Sequence, residues 1–505
     1  QALGPSAREV VTVLVAGRTL DDLLAGPAVR ALAAAGGAAV MPDAGALATA
    51  DPAADAETAV RDALAGSRAD LVLVVVASVV AAPGDPLLPV VVAEGDPATL
   101  LDADGPAHAL TSDSTRRDGV VTAADVLATV AAFEGGEVVA GHPVRPIDAA
   151  PPSELRRRFL ERAGSAVPIE VALGLLVTAI GLAAIAALAW PWRAPRGALV
   201  ALSWCCLGVP GLSLALLLAG HLPRMTVGVV APTVAALTVL ATAAALPAAR
   251  RDPDRAPGIV GAVAVVALGL EAATGFVGAQ LPFLGGSQLD GARFYGLPNA
   301  FIGLLVGGAL LVAWRLPRAT GTTLLFLCGL LAGLPWLGAN LGAATTGFAA
   351  SGLWWVAGRR RADARAAIEV ACVLAAGLGV VLLAHAFAPT PTHVQDALRG
   401  GGVASRYLDR LAIGLRMLRE QPFAIVPALG PVALLLVVLR PPAAIAAGFA
   451  ASPGSREVVL VAALAGGVAY LANDTGASAA GLTWGLGLVL AFWVSLRAAA
   501  ARMSG

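Results

Sequence analysis

The stretch LDGARFYGLPNAF, residues 289–301, places an Asp, an Arg, a Tyr and an Asn between two long apolar runs. A connecting loop needs only to be short and polar. These side chains can do more. Arg293 can grip a phosphate through charge-assisted, bidentate bonds. Asp290 can accept a proton from a hydroxyl. Tyr295 and Asn299 can orient a bound group by hydrogen bonding. The same residue types return further along the chain. His393 and Asp474 are alternative bases, Arg399 and Arg406 further phosphate ligands, and Asn340 and Asn473 further amides. Together they form a candidate catalytic set (Asp290, Asp474, His393) and a candidate substrate-binding set (Arg293, Tyr295, Asn299, Asn340, Asn473, Arg399, Arg406).

The elements that must position them are membrane helices. The chain is 58% hydrophobic and 13% charged, with a mean hydropathy of +0.79, outside the soluble range. Apolar runs of about 18 residues or more mark transmembrane helices. From residue 168 onward the pattern predicts about eleven spans: 168–190, 197–221, 225–248, 257–283, 298–314, 319–336, 340–357, 364–387, 422–440, 457–472 and 476–496. There is no Lys, so arginine sets the orientation. Arg193 and Arg196, RRDPDR (250–255), Arg315 and Arg318, RRRADAR (359–365), Arg440 and Arg456, and Arg497 and Arg502 fall in alternate connections. That side is expected to be cytoplasmic. An odd number of spans then puts the amino-terminal domain outside. The connection 388–421 is arginine-rich yet falls outside, where a long, structured connection escapes the rule. The outer connections thus carry the candidate residues, and Asn299, Asn340 and His385 stand at the outer ends of their spans.

Residues 1–150 read as a soluble α/β domain. VVTVLVAG (10–17), DLVLVVV (70–76) and LPVVVAEG (88–95) are buried-strand runs. DLLAGPAVRALAAAG and DAETAVRDALAGS have helical spacing, the second with Asp55 or a neighbour available as a cap. The alternation predicts a mainly parallel, doubly wound sheet. A Pro-broken linker and basic amphipathic helix (151–165) lead into the polytopic part, 166–505. The start QALGPSAREV has neither n-region nor h-region, so any signal peptide or first anchor is expected to have been removed already.

Each candidate also has a plain structural use. Asp290 and Arg293 can pair with each other, with Tyr295 as an interfacial anchor. Asn473 and Asp474 can cap the last span, GANLGAATTG (338–347) can be small-residue packing, and His385 and His393 can be interfacial residues without a ligand. ASRYLDRLAIGLRMLRE (404–420) has the pattern of a helix lying in the interface. Glu271 falls mid-span in IVGAVAVVALGLEAATGFVGAQ. A carboxylate at that depth costs roughly 2.5–3.5 kcal/mol, so it is expected to be neutral, paired, or part of a proton or substrate pathway. The four Cys all lie in apolar runs, as buried small residues rather than a disulfide or zinc framework. No metal and no cofactor is expected. The chain has no phosphate-cradling glycine loop with a Lys, no HExxH and no nucleophile elbow. A net charge of zero gives no reason to expect a nucleic-acid partner.

Two resemblances add to this. LLPVVVAEG together with HALTSDSTRRDGVVTAADVLATVAAFEGGEVVAGHPV (within 87–144) resembles the carboxy-terminal part of an alkaline-phosphatase-superfamily domain. Thr115, Arg116, Arg117, Gly119 and Asp125 stand in its Thr-Arg-Arg-x-Gly segment and following helix. VTVLVAGRTLDDLL (11–24) resembles the opening strand, with Ala16 where the family has its metal-binding Asp. The nucleophile segment and the later Asp-His pair have no counterpart. The resemblance implies a truncated, degenerate, metal-free pseudoenzyme. DGARFYGLPNAFIGLL, LPWLGANLGAA, THVQDALRGG and YLANDTGASAAGL resemble blocks of a bacterial polytopic family of unknown function fused to such a domain. This chain departs from it at Pro298 and Ala300. The resemblance implies an architecture in the bacterial cytoplasmic membrane, not a reaction.

Three functions remain open. The outer cluster can bind or process the phosphate head of a lipid-linked cell-envelope precursor, such as a polyprenyl-phosphate-linked substrate. The bundle can be a transporter or flippase with Glu271 in its pathway. It can also be a non-catalytic scaffold recruiting envelope enzymes.

Overall fold

A sheet of six strands and a larger set of apolar helices make up the computed structural model of the protein. It describes residues 8–16, 19–41, 55–67, 69, 71–80, 88–103, 106–136, 138, 141–150, 152–276, 278, 281–284, 295–359, 363–390, 392, 394–395, 425–473 and 476–503. Two compact units divide the chain: Gln1–Gly164 with Leu289–Tyr295, and Ser165–Gln288 with Gly296–Gly505.

The first unit is built on β1 (Arg8–Ala16), β2 (Gly37–Met41), β3 (Leu71–Val80), β4 (Leu88–Gly95), β5 (Ala109–Thr111) and β6 (Arg145–Ile147), in the order β1-β3-β4-β2-β5-β6. Its helices are α1 (Leu20–Ala25), α2 (Pro27–Ala35), α3 (Ala56–Gly66) and α4 (Ala123–Glu134). The helical stretch expected over 22–36 is broken at Gly26, with Pro27 opening the second piece. Asp55 caps α3 through the N–H groups of Glu57 and Thr58, as its position suggests.

The sheet is mixed, which corrects the expectation of a mainly parallel one. β1–β3 and β2–β5 are parallel, while β3–β4, β4–β2 and β5–β6 are antiparallel. The reason is chain length. Only residues 81–87 join β3 to β4, and a parallel return needs a crossover of about a dozen residues or more. Val74, Val76, Val90 and Val91 are fully buried in these central strands.

The second unit continues from a helix, α5 (Ser153–Ala189), that runs through the expected linker without a break and contains Pro168. It is followed by α6 (Arg196–Leu218), α7 (Val227–Ala243), α8 (Leu246–Arg251), α9 (Arg255–Ala273), α10 (Asn299–Ala313), α11 (Arg318–Gly333), α12 (Leu341–Ala357), α13 (Ala364–Ala386), α14 (Ile425–Leu439), α15 (Ala443–Ala451), α16 (Ser455–Ala472) and α17 (Gly476–Arg502). Among the described residues, seven helices are long and apolar enough to cross a membrane. An eighth is added if α14 and α15, bent by 70° at the Pro441-Pro442 break, form one span. α10 and α11 are apolar but shorter.

Burial separates the helices into inner and outer sets. Residues 300–311 of α10 are all buried, and α17 contributes Trp484, Leu490 and Trp493 to the same core. A helix apolar on every face belongs in such an interior. α5, α7 and α13 instead expose Leu175, Val239 and Leu383, each by 60% or more. Large apolar faces of this kind are stable against hydrocarbon and not against water. The chain is a multi-pass helical membrane protein carrying a small α/β sheet.

Candidate functional site

Five helix ends meet in the second unit, and an asparagine organises them. Asn340 is the N-cap of α12 and is fully buried. Its Oδ1 accepts from the Ala343 N–H at 3.0 Å. Its Nδ2 donates to the Leu297 carbonyl at 2.9 Å and to Asn299 Oδ1 at 3.0 Å. One side chain therefore ties the start of α12 to the start of α10. The Asn340 N–H donates to Ala332 O at 2.9 Å, which brings in the end of α11. His385, near the end of α13, is buried, with Nε2 at 3.0 Å from Gly333 O and Nδ1 at 3.0 Å from Thr392 Oγ1. A carbonyl only accepts, so Nε2 carries the proton toward Gly333. Asn473 ends α16, is buried, and donates to Ala469 O at 2.8 Å. It lies against α12 so closely that a Cβ on Gly342 would come within 2.2 Å of its Oδ1. Only glycine permits that approach.

Glu271 belongs to the same end of the unit, and this corrects its mid-span placement. α9 stops at Ala273, after which Gly275 and Phe276 take positive φ values of 73° and 60°. Hydropathy continues through this break, whereas the helix does not. α9 packs antiparallel on α10, with Gly261 against Gly308, so its final turn stands level with the start of α10. The Glu271 side chain is buried and bonds His221 Nε2, while its other oxygen accepts from the Gly278 N–H at 3.1 Å. His221, in the turn after α6, is a partner the sequence reading did not single out. Its only signal was a His at the end of an apolar span.

Tyr295 groups with the first unit. It is buried there, with the Arg116 guanidinium 4.1 Å from its ring centroid, a cation–π contact. Arg116 itself has a positive φ of 50°. Asp125, which the superfamily resemblance singles out, is completely buried at the start of α4. It accepts from Ser112 Oγ at 2.8 Å, Ser114 Oγ at 2.6 Å, Thr122 N–H at 2.9 Å and His142 N–H at 2.9 Å. Thr115 is buried too and bonds Val120 O at 2.6 Å.

Of the sequence-derived site, the structure brings Asn299 and Asn340 into direct contact and sets Asn473 beside the first turn of α12. Asp290, Arg293, His393, Arg399, Arg406 and Asp474 lie outside the described residues, as does the interfacial helix expected over 404–420. Among the described residues, no three His, Cys, Asp or Glu side chains gather as a metal site would require. The arrangement sets the starts of α10 and α12, whose N–H groups favour an anion, beside the carbonyl ends of α11, α13 and α16, which do not. No protein-family model, curated protein or solved structure matches the chain.

Proposed function

We propose that this protein binds, and helps transfer or process, a phosphate-bearing lipid-linked precursor of the bacterial cell envelope. In this reading the chain crosses the cytoplasmic membrane eleven times, and the amino-terminal domain is a degenerate, alkaline-phosphatase-like module outside it. The carrying observation is the gathering of the α10 and α12 starts with Asn299, Asn340 and Asn473 at one end of the helical unit. Helix starts attract anions, and the sequence supplies Arg293, Arg399 and Arg406 to the connections expected at that end. Asn340 spends its whole amide on Ala343, Leu297 and Asn299, so its part is to hold the helix starts in place. Asp290, Asp474 or His393 would act as the base. A transporter for the same lipid is the second reading. It is supported by the contact of the buried Glu271 carboxylate with the exposed His221 ring near the end of α9, since an acid buried among apolar helices is costly unless it has a use.

The test is binding by the purified full chain of a long polyisoprenyl phosphate and of the corresponding free alcohol. The phosphate should bind at least about tenfold more tightly, a difference of about 1.4 kcal/mol, and Arg293→Ala should remove most of that preference. Equal binding of phosphate and alcohol would overturn the reading.

A further inference from the structure

Glu271 and His221 make a pair in which one partner is buried and the other faces out. The Glu271 side chain is 4% exposed and that of His221 is 43% exposed. One Glu271 oxygen meets His221 Nε2, and the other accepts from the Gly278 N–H at 3.1 Å. A carboxylate only accepts, so Nε2 carries the proton. Nδ1 is then the unprotonated nitrogen of the neutral ring, and among the described residues no protein group bonds to it. The support of the pair is well fastened. The Phe276 N–H closes the last turn of α9 on Glu271 O at 2.6 Å, and the Phe283 N–H ties the following chain to Leu216 O of α6 at 3.2 Å. Two glycines permit the approach. A Cβ on Gly278 would strike the His221 ring, and one on Gly220 would strike the Gly278 carbonyl.

A buried carboxylate that fixes one imidazole nitrogen while the other faces out has the geometry of a general base and its orienting acid. The carboxylate sets the ring and its tautomer, and it stabilises the imidazolium once the ring takes a proton. This gives the costly buried acid a use. The pair also stands in the right place, on the last turn of α9, level with the start of α10 and Asn299. Arg224 is exposed in the same connection as His221 and brings the positive charge that a phosphate needs. We propose that His221 is the proton acceptor at this end of the helical unit, in place of Asp290, Asp474 and His393, with Glu271 as its positioning residue. The reaction it serves rests on the function proposed above, that of acting on a lipid-linked phosphate. In that reaction an acceptor hydroxyl gives its proton to Nδ1 as its oxygen bonds to phosphorus. The bond from phosphorus to the departing oxygen breaks, and Nδ1 returns the proton to that oxygen.

The test uses the full-length protein in lipid nanodiscs and a polyisoprenyl phosphodiester of 4-methylumbelliferone, with glycerol as the acceptor. Transfer releases the fluorescent phenol. His221→Gln should lower kcat by at least about a hundredfold, the lower end of what a general base contributes. Glu271→Gln should lower kcat with KM unchanged, and Glu271→Asp should recover part of the loss. A merely structural acid would instead cost folded protein and leave the kcat of the remainder intact. Carbethoxylation of His221 by diethyl pyrocarbonate, mapped by mass spectrometry, needs no variant. It should stop turnover, and hydroxylamine should restore it. Absence of turnover by the wild type, or a kcat retained in folded His221→Gln or after His221 is carbethoxylated, would overturn the assignment. Binding of polyisoprenyl phosphate against the free alcohol, measured on the same proteins, separates the two proposals. A phosphate preference without turnover sinks the base assignment alone, and His221-dependent turnover without the preference sinks the phosphate-binding reading alone.

Discussion

Replacing Asn340 by Ala should destabilise the helical unit far more than a surface change would. Asn340 is fully buried and makes three hydrogen bonds at 2.9–3.0 Å. Losing the N-cap bond to Ala343 costs about 1 kcal/mol. The Leu297 carbonyl is left without the amide that meets it, at about 1–3 kcal/mol for a buried acceptor. The total is about 2–4 kcal/mol, reduced if neighbouring groups re-pair as they do in membrane interiors. Asn340→Asp separates the contributions, since it keeps an oxygen for the cap but faces Leu297 O and Asn299 Oδ1 with an acceptor. It should be as damaging as Ala or worse. The assay is equilibrium unfolding of the detergent-solubilised protein by SDS titration. A loss below about 0.5 kcal/mol for Asn340→Ala, within the range of an ordinary surface substitution, would refute the view that this side chain holds the helix starts together.

Asp125→Ala should unfold the α/β unit locally, because the Ser112, Ser114, Thr122 and His142 donors lose its carboxyl at about 1–3 kcal/mol for each that stays buried and unsatisfied; hydrogen exchange of β5 and α4 should rise while α10 and α17 stay protected. Burial raises the Asp254 carboxyl above the ordinary aspartate range, against the pull of the Ser452 hydroxyl at 3.1 Å and of Arg315. With the folded value above the unfolded one, the neutral acid's stabilisation is full below about pH 3.9 and is lost as pH rises through the folded value. Asp254→Asn should therefore match the wild type near pH 3.5 in melting curves and exceed it at pH 7; a neutral-pH loss would contradict the burial cause. Cysteine introduced at position 395 should react with an impermeant reagent from outside the cell and cysteine at 361 should not, and labelling at 361 would sink the proposed orientation.

Much of this fold was legible in local chemistry. The strands of β1, β3 and β4 show as β-branched runs, and Asp55 shows as a cap before a helical pattern. The direction of β4 was hidden because pattern alone does not weigh the short 81–87 connection, which decides it. Glu271 was misplaced for a related reason. Hydropathy averages over ATGFVGAQ, while the Gly275 and Phe276 backbone ends α9 there. The meeting of Asn299 with Asn340 followed from alternation of the spans, since both open helices at the same end. Their bonding to each other, and the partnership of His221 with Glu271, needed three-dimensional packing that no local pattern encodes. The bend after α14 was written in Pro441-Pro442, yet its 70° size depends on the surrounding helices.

The most direct measurement is site-specific photocrosslinking in native membranes with a photoreactive amino acid at position 299 and, as a control, at position 254 at the opposite end of the helical unit. Position 299 should capture a phosphate-bearing long-chain lipid, identified by mass spectrometry of the adduct, and position 254 should not. Capture at 254 alone, or adducts at 299 consisting only of bulk phospholipid, would contradict the proposal that this end of the bundle receives a lipid-linked phosphate.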